Sequence, residues 1–218
     1  MKYSAILFDL DGTLLESLED IKNAVNKSLE ECGYSLRYDY EGAKKLIGNG
    51  VFVLIDRAIA PLNITKKEHD KFQKAMLKNY KLEQGRCTKP FPNEKEALTK
   101  LKELGYKLFV VTNKPQFLME EILSKTYGKD FFTEAVGQSE SSLPKPNPKS
   151  INDLVAKYNL DKSKIIYVGD SSVDLDTASN AGIDSVLVTF GYDEYTEELK
   201  AKATYVVNSI DEFLNLFE

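Results

Sequence analysis

Positive charge is in short supply: Lys and Arg number 29 against 34 Asp and Glu, for a net charge of -5. A nucleic-acid footprint needs the opposite balance, so no nucleic-acid partner is expected. The two cysteines, Cys32 and Cys87, are too few and too far apart for a disulfide framework or a Cys-rich zinc site, and read as free thiols. His69 is the only histidine, which excludes His-based triads and multi-His metal centres by count. No run approaches the ~20 apolar residues that span a bilayer, and the run Ala5-Ile6-Leu7-Phe8 is cut by Asp9, too soon for a signal peptide. No membrane partner is expected, and the cytoplasm is the expected location. There is no Gly-rich loop ending in Gly-Lys-Ser/Thr. Gly48-Asn49-Gly50 lacks the third glycine and the preceding strand of a dinucleotide fingerprint.

What is present is an ordinary globular composition, 42% hydrophobic and 29% charged, over 218 residues, enough for one α/β core with an insertion. Short, nearly continuous apolar runs at Tyr3 to Leu10, Lys107 to Thr112, Ile165 to Gly169, Ser185 to Thr189 and Thr204 to Asn208 look like parallel strands buried on both faces. Between them, the helical patterns at Glu94 to Leu104, Pro115 to Tyr127 and Ser172 to Ala181 each run into a glycine, and Ser209 with Glu212 forms a capping box. The alternation predicts an α/β fold with a doubly wound parallel sheet. The stretch from Ser17 to Gln84 breaks it. Leu18, Ile21, Val25 and Leu29 form one helical stripe, with Ser17 and Asp20 as caps. Phe72, Met76 and Tyr80 form another, capped by Thr65 and Glu68. The expected division is a catalytic core of residues 1–15 and 85–218 with a helical insertion at 16–84.

Chemistry concentrates at strand ends. Phe8-Asp9-Leu10-Asp11-Gly12-Thr13 puts two carboxylates at i and i+2 after the first buried strand, on one side of it. Crowded like charges there are costly unless a cation joins them, and oxygen ligands suit Mg²⁺. The bland alternative is an Asp-Gly turn. Gly169-Asp170-Ser171-Ser172-Val173-Asp174 supplies a second pair, Asp170 at a strand end and Asp174 one helical turn on. Each alone reads as a helix cap, but four acids at the carboxyl ends of two strands exceed any capping need. Thr112 and Asn113 end the second strand at a helix start, a setting that suits phosphate. Lys145 is held by the prolines of Pro144-Lys145-Pro146-Asn147-Pro148.

The order Asp-x-Asp-Gly-Thr, Thr-Asn, Lys-Pro-x-Pro, Gly-Asp-x-x-x-Asp resembles the haloacid dehalogenase superfamily of phosphohydrolases from Phe8 to Gly191, and the insertion resembles its four-helix cap. Phe91-Pro92, Thr112-Asn113-Lys114-Pro115 and Asn180-Ala181-Gly182 look more narrowly like phosphoglycolate phosphatases. The resemblance implies a Rossmann-like core and Mg²⁺-dependent hydrolysis of a small phosphate monoester through an aspartyl phosphate. Asp9 would be the nucleophile and Asp11 the general acid and base. Thr112, Asn113 and Lys145 would hold the phosphoryl group. Asp9, Asp170 and the Asp11 backbone carbonyl would hold the metal, with Asp174 orienting Lys145 or a metal-bound water. Glu16 and Asn93 depart from the residues usual at their positions, Asp and Gly.

For the substrate, Lys44, Lys45 and Arg57 are candidates to grip a second anionic group, and Gly48, Asn49 and Gly50 to reach it from a loop; most such charges merely face solvent. The partner expected is a small phosphorylated metabolite, with the chain a monomer or homodimer. Competing readings are a phosphomutase of the β-phosphoglucomutase type, a pyrophosphatase or nucleotidase on the same fold, and a non-catalytic phosphate- or partner-binding module.

Overall fold

A computed structural model describes residues 2–139 and 142–217. Residues 1, 140, 141 and 218, which the expected core range includes, lie outside the described residues. The chain forms two compact units, Met1–Glu16 with Pro90–Glu218, and Ser17–Lys89.

The first unit is built on a six-stranded sheet in the order β5-β4-β1-β6-β7-β8, formed by β1 (Ala5–Phe8), β4 (Lys107–Pro115), β5 (Glu134–Gln138), β6 (Ile165–Gly169), β7 (Asp184–Val188) and β8 (Tyr205–Val207). Two-residue strands β2 (Leu15–Glu16) and β3 (Lys89–Pro90) lie where the chain passes between the units. All the pairings in the large sheet are parallel, as expected for a doubly wound α/β core. Successive β1 side chains enter opposite core layers, as period-two geometry requires. Ile6 and Phe8 pack with Leu98, Leu101, Met119, Ile122 and Phe213 of α5 (Glu94–Glu103), α6 (Gln116–Tyr127) and α10 (Ile210–Asn215). Ala5 and Leu7 pack with Ile151, Leu154, Ala178 and Ala181 of α7 (Lys149–Tyr158) and α8 (Ser172–Ala181). Helices therefore cover both faces, which is why these strands read as unbroken apolar runs. Gly182 ends α8 in the left-handed conformation, its N–H donating to Ser179 O at 3.0 Å. Strand β5 and helix α7 were not among the expected elements. β5 pairs only with β4 and is mostly half-buried, so it lacks the apolar run that marks a central strand.

What positions the site is the register. Phe8 stands opposite Val110 on one side and Val168 on the other. Asp9 follows Phe8, and Thr112 and Asp170 each lie two residues past its partners, so one level of the sheet delivers all three at its carboxyl edge. The strand order runs outward both ways from β1, the location at which α/β folds bind ligands.

The second unit contains α1 (Leu18–Cys32), α2 (Tyr40–Lys44), α3 (Val51–Ile59) and α4 (Lys66–Glu83). The expected stripes are its interior: Leu18, Ile21, Val25 and Leu29 of α1 and Phe72, Met76 and Tyr80 of α4 are all buried. Thr65 and Glu68 complete the capping box. Ser17 and Asp20 depart from expectation. The Ser17 side chain makes no cap hydrogen bond. The Asp20 carboxylate instead accepts from the backbone N–H groups of Gly85, Arg86, Cys87 and Thr88 at 2.8 to 3.2 Å and from the Thr88 hydroxyl at 2.6 Å. Asp20 is 1% exposed; five donors offset the several kcal/mol that desolvating a carboxylate costs. This clasp is the physical reason that 85–89 belongs with the helices, so that the units meet at 16/17 and 89/90 instead of 15/16 and 84/85.

Candidate active site

Asp9 extends the β1 ladder, its N–H donating to Val168 O at 2.9 Å. The chain then turns back, with Leu14 and Leu15 N–H both donating to Leu10 O and Gly12 N–H to Leu15 O. Gly12 has φ +90°, and a Cβ there would collide with the Asp170 carboxylate, so conformation and space both require glycine. Gly191 abuts Asp170 in the same way. Asp170 is buried, accepting from the Thr13 hydroxyl at 3.1 Å and from Tyr192 N–H at 2.8 Å.

Carboxylate oxygens of Asp9, Asp170 and Asp174 lie within 4.8 Å of one another. Asp174 forms a capping box with Ser171 through Oδ2, while its Oδ1 accepts from Lys145 Nζ at 2.6 Å. Lys145 Nζ also lies 2.9 Å from Asp9 Oδ1 and donates to the Tyr167 hydroxyl at 3.0 Å. The Asp9 contact is an ion pair without hydrogen-bond alignment: Oδ1 is buried and has no aligned partner among the described residues. Burial pushes the Asp9 carboxyl up to about 6, with the Lys145 ammonium opposing and Asp174 adding to the rise. Burial, then Asp174 and Asp9, hold the Asp170 carboxyl well above the usual range. Burial alone would lower the Lys145 ammonium, but Asp174 and Asp9 raise it well above its ordinary value.

These residues fit a divalent cation. Three buried acids cluster while a single ammonium pairs with two of them, the oxygen set suits Mg²⁺, and Asp9 keeps an orphaned oxygen in the cluster. The Asp11 carboxylate is elsewhere, accepting from Lys114 Nζ at 3.1 and 3.2 Å. Lys114 is buried, and nothing in the spacing of the sequence marked it as Asp11's partner.

Thr112 Oγ1 accepts from Lys114 N–H at 3.2 Å, and among the described residues its own proton has no protein acceptor. The Asn113 carboxamide accepts from Lys145 N–H at 2.7 Å and donates one of its two N–H bonds to Lys145 C=O at 3.2 Å, so the side chain clamps the Lys145 backbone. Tyr167, in the middle of an apolar strand, and Asp193, which accepts from Ser172 N–H at 2.8 Å, also support the site. In the sequence Tyr167 lies inside the expected strand Ile165 to Gly169, and Asp193 carries no motif.

Of the expected substrate residues, Arg57 donates to Leu46 O and Ile47 O at 3.2 and 2.7 Å and to Asn49 Oδ1 at 2.6 Å, so the guanidinium braces the Gly48-Asn49-Gly50 turn. Lys44 pairs with Glu41 at 3.6 Å, and Lys45 is exposed. His69 hydrogen-bonds Asp56 at 2.8 Å. No helix of the described residues is long and apolar enough to cross a membrane.

Comparison with known proteins agrees with this geometry. A family model described as haloacid dehalogenase-like hydrolase matches residues 6–188. The phosphoglycolate phosphatase of Aliivibrio fischeri is 36% identical over 192 residues, 86% of this chain and 84% of that protein. That of Cereibacter sphaeroides is 36% identical over 189 residues, 86% of this chain and 85% of its own. The crystal structure of a predicted phosphoglycolate phosphatase from Haemophilus somnus superposes with a TM-score of 0.93 at 30% identity, covering 100% of this chain and 99% of that one. With the match running from β1 through β7, the chain belongs to the haloacid dehalogenase-like hydrolases.

Proposed function

We propose that this chain hydrolyses a small phosphate monoester, phosphoglycolate or a close analogue, through a phosphorylated Asp9. The observation that carries the reading is the buried cluster of Asp9, Asp170 and Asp174 oxygens within 4.8 Å, with Lys145 Nζ 2.9 Å from Asp9. An Asp9 oxygen attacks phosphorus, forming the O–P bond as the bond to the leaving alkoxide breaks. Asp11 protonates that alkoxide and then takes a proton from the water that attacks the aspartyl phosphate. Lys114 holds the Asp11 carboxylate in place through both oxygens. Lys145, the Thr112 hydroxyl and the backbone N–H groups at the start of α6 carry the charge of the transferring phosphoryl group. Asn113 and Asp174 fix the backbone and ammonium of Lys145. Mg²⁺ would be held by Asp9, Asp170 and the Asp11 backbone carbonyl, with Asp174 in the same cluster, and supplies positive charge between two anions that must meet. The Ser17–Lys89 unit, spliced in shortly after the nucleophile, is the segment we assign to substrate choice, with a small phosphorylated metabolite as the only partner. Location in the cytoplasm belongs to the same reading.

The test is phosphate release from p-nitrophenyl phosphate with and without Mg²⁺, followed by a metabolite panel containing 2-phosphoglycolate. Mg²⁺-dependent release that disappears in Asp9→Asn is the expected result. Equal inactivity of both proteins across the panel would overturn the reading.

A further inference from the structure

Tyr167 is the largest fully buried side chain among the described residues. Its ring packs in an apolar cluster with Leu7, Phe109, Val111 and Ile151, where phenylalanine would fill the same space. Only the hydroxyl distinguishes it. That hydroxyl lies 2.6 Å from Val111 O, 3.0 Å from Lys145 Nζ and 3.3 Å from Asp174 Oδ1. One proton cannot serve two acceptors, and the shorter contact takes it: Tyr167 donates to Val111 O. Toward Lys145 it is therefore an acceptor, and its approach to Asp174 is that of two acceptors sharing one ammonium.

The strand order gives this bond a further property. Tyr167 is on β6 and Val111 on β4, and β1 lies between them. The bond thus spans the strand that ends in Asp9, and it anchors the residue before Thr112. A purely architectural role exists, since the β4–β5 register shifts just after Val111 and a carbonyl there needs a partner. That role does not account for the ammonium at 3.0 Å.

We propose that Tyr167 is a positioning residue that sets the direction of the Lys145 ammonium, an inference that rests on the phosphatase reading above for its catalytic consequence. An ammonium has three N–H bonds and no other polar atom. Two are aligned on Asp174 and Tyr167, so the direction of the third is fixed by difference; Asp9 Oδ1 lies 2.9 Å from Nζ but is not aligned with it, which leaves that N–H beside the nucleophile without a protein acceptor among the described residues. Asp174 alone would let the end of the side chain swing about a single contact. With Tyr167 as second anchor, one N–H is directed to where a phosphoryl oxygen meets the nucleophile. Asn113 fixes the backbone end of the same side chain, so Lys145 is held at both ends.

The test is Tyr167→Phe, which removes one oxygen and keeps the ring. In ¹⁵N-lysine-labelled protein, the wild type should show a slowly exchanging Nζ resonance that is absent in Lys145→Met. In Tyr167→Phe that resonance should shift and its protons exchange faster. On p-nitrophenyl phosphate with Mg²⁺, kcat should fall about 10- to 100-fold, with KM changed by less than about threefold. 3-Fluorotyrosine at position 167, a weaker acceptor of the same shape, should move the resonance in the same direction by less, and serves if the phenylalanine variant does not fold. An altered melting temperature with an unchanged Nζ resonance would make Tyr167 a purely architectural residue and overturn the proposal. The resonance is read without turnover, so a wild type lacking Mg²⁺-dependent activity would sink the phosphatase reading while this arm still decides whether Tyr167 aims Lys145.

Discussion

The two units bury polar groups for different purposes. In the helical unit the buried polar side chains close on one another or on nearby backbone. Ser28 donates to Ala24 O, Asn79 to Ser28 and Glu31, Lys27 pairs with Glu83, and Asp20 takes the amides of residues 85–88. Each of these donors meets an acceptor, and the result is architecture. In the α/β unit Asp9, Asp170, Asp174 and Lys145 are also buried, yet the set is left open. Asp9 and Asp174 share one ammonium, Asp170 lies beside them without a cation, and an Asp9 oxygen lacks an aligned partner. Buried charge that does not close on itself marks where an outside charge is handled.

If that contrast is right, substitutions in the open set should abolish chemistry with little cost in stability, and those in the closed set should do the reverse. The largest effect is expected from Asp9→Asn, which should lower kcat at least about a thousandfold. The same variant should melt at or above the wild-type temperature, because a buried acid is removed; steady-state kinetics and calorimetry read the two effects. Next is Asp20→Ala, expected to destabilise the protein by roughly 3 kcal/mol or more in denaturant unfolding, since it strands four backbone N–H groups. A drop of under about 0.5 kcal/mol would show that the clasp is dispensable.

Two titrations probe the contrast with smaller effects. The Asp9 carboxyl is raised to about 6, so Mg²⁺ must displace a proton below that pH. Affinity measured by isothermal titration should fall as pH drops, Asp9 contributing up to about tenfold per pH unit there and the raised Asp170 adding to the same trend. Glu94 is buried beside Tyr127, and burial pushes its carboxyl up to about 8, the Tyr127 hydrogen bond opposing. Between the ordinary carboxylate value and about 8 the folded protein holds a proton that the unfolded chain has lost, so stability falls as pH rises through that window. Glu94→Gln should remove Glu94's share of the slope, melting several degrees above wild type at pH 8.5 and close to it at pH 5. The smallest effect is expected from Lys45→Ala, whose exposed side chain should change kcat/KM by less than about twofold; a tenfold loss would place it in the substrate site.

The sequence made the open set visible because its members sit at the ends of apolar runs. Asp9 interrupts Ala5-Ile6-Leu7-Phe8, and Asp170 interrupts Ile165 to Gly169, so the strands and their terminal acids were legible together. Parallel register then places the acids side by side without further information. What stayed hidden depends on contacts between distant residues. Tyr167 is one more apolar-looking residue in Ile-Ile-Tyr-Val-Gly until its hydroxyl is seen 22 residues from Lys145. Lys114 meets an acid 103 positions away. Asn113 sits in a phosphate-like setting, but its amide is engaged by a backbone 32 residues on. Asp20 looked like a local cap because acids near a helix start usually are; its true partners lie 65 to 68 residues on. Arg57 looked available because the turn it braces offers carbonyls that leave no trace in composition.

The Asp20 clasp has an architectural corollary. By fastening residues 85–88 to the first turn of α1, it brings the beginning and the end of the helical unit to one spot, like a drawstring. Anything threaded between those two points occupies a closed loop, whose length and contents are then independent of the spacing between β1 and α5. Exchange of the whole helical segment for an unrelated one, with the knot kept, is the kind of splice that the α/β unit is built to survive.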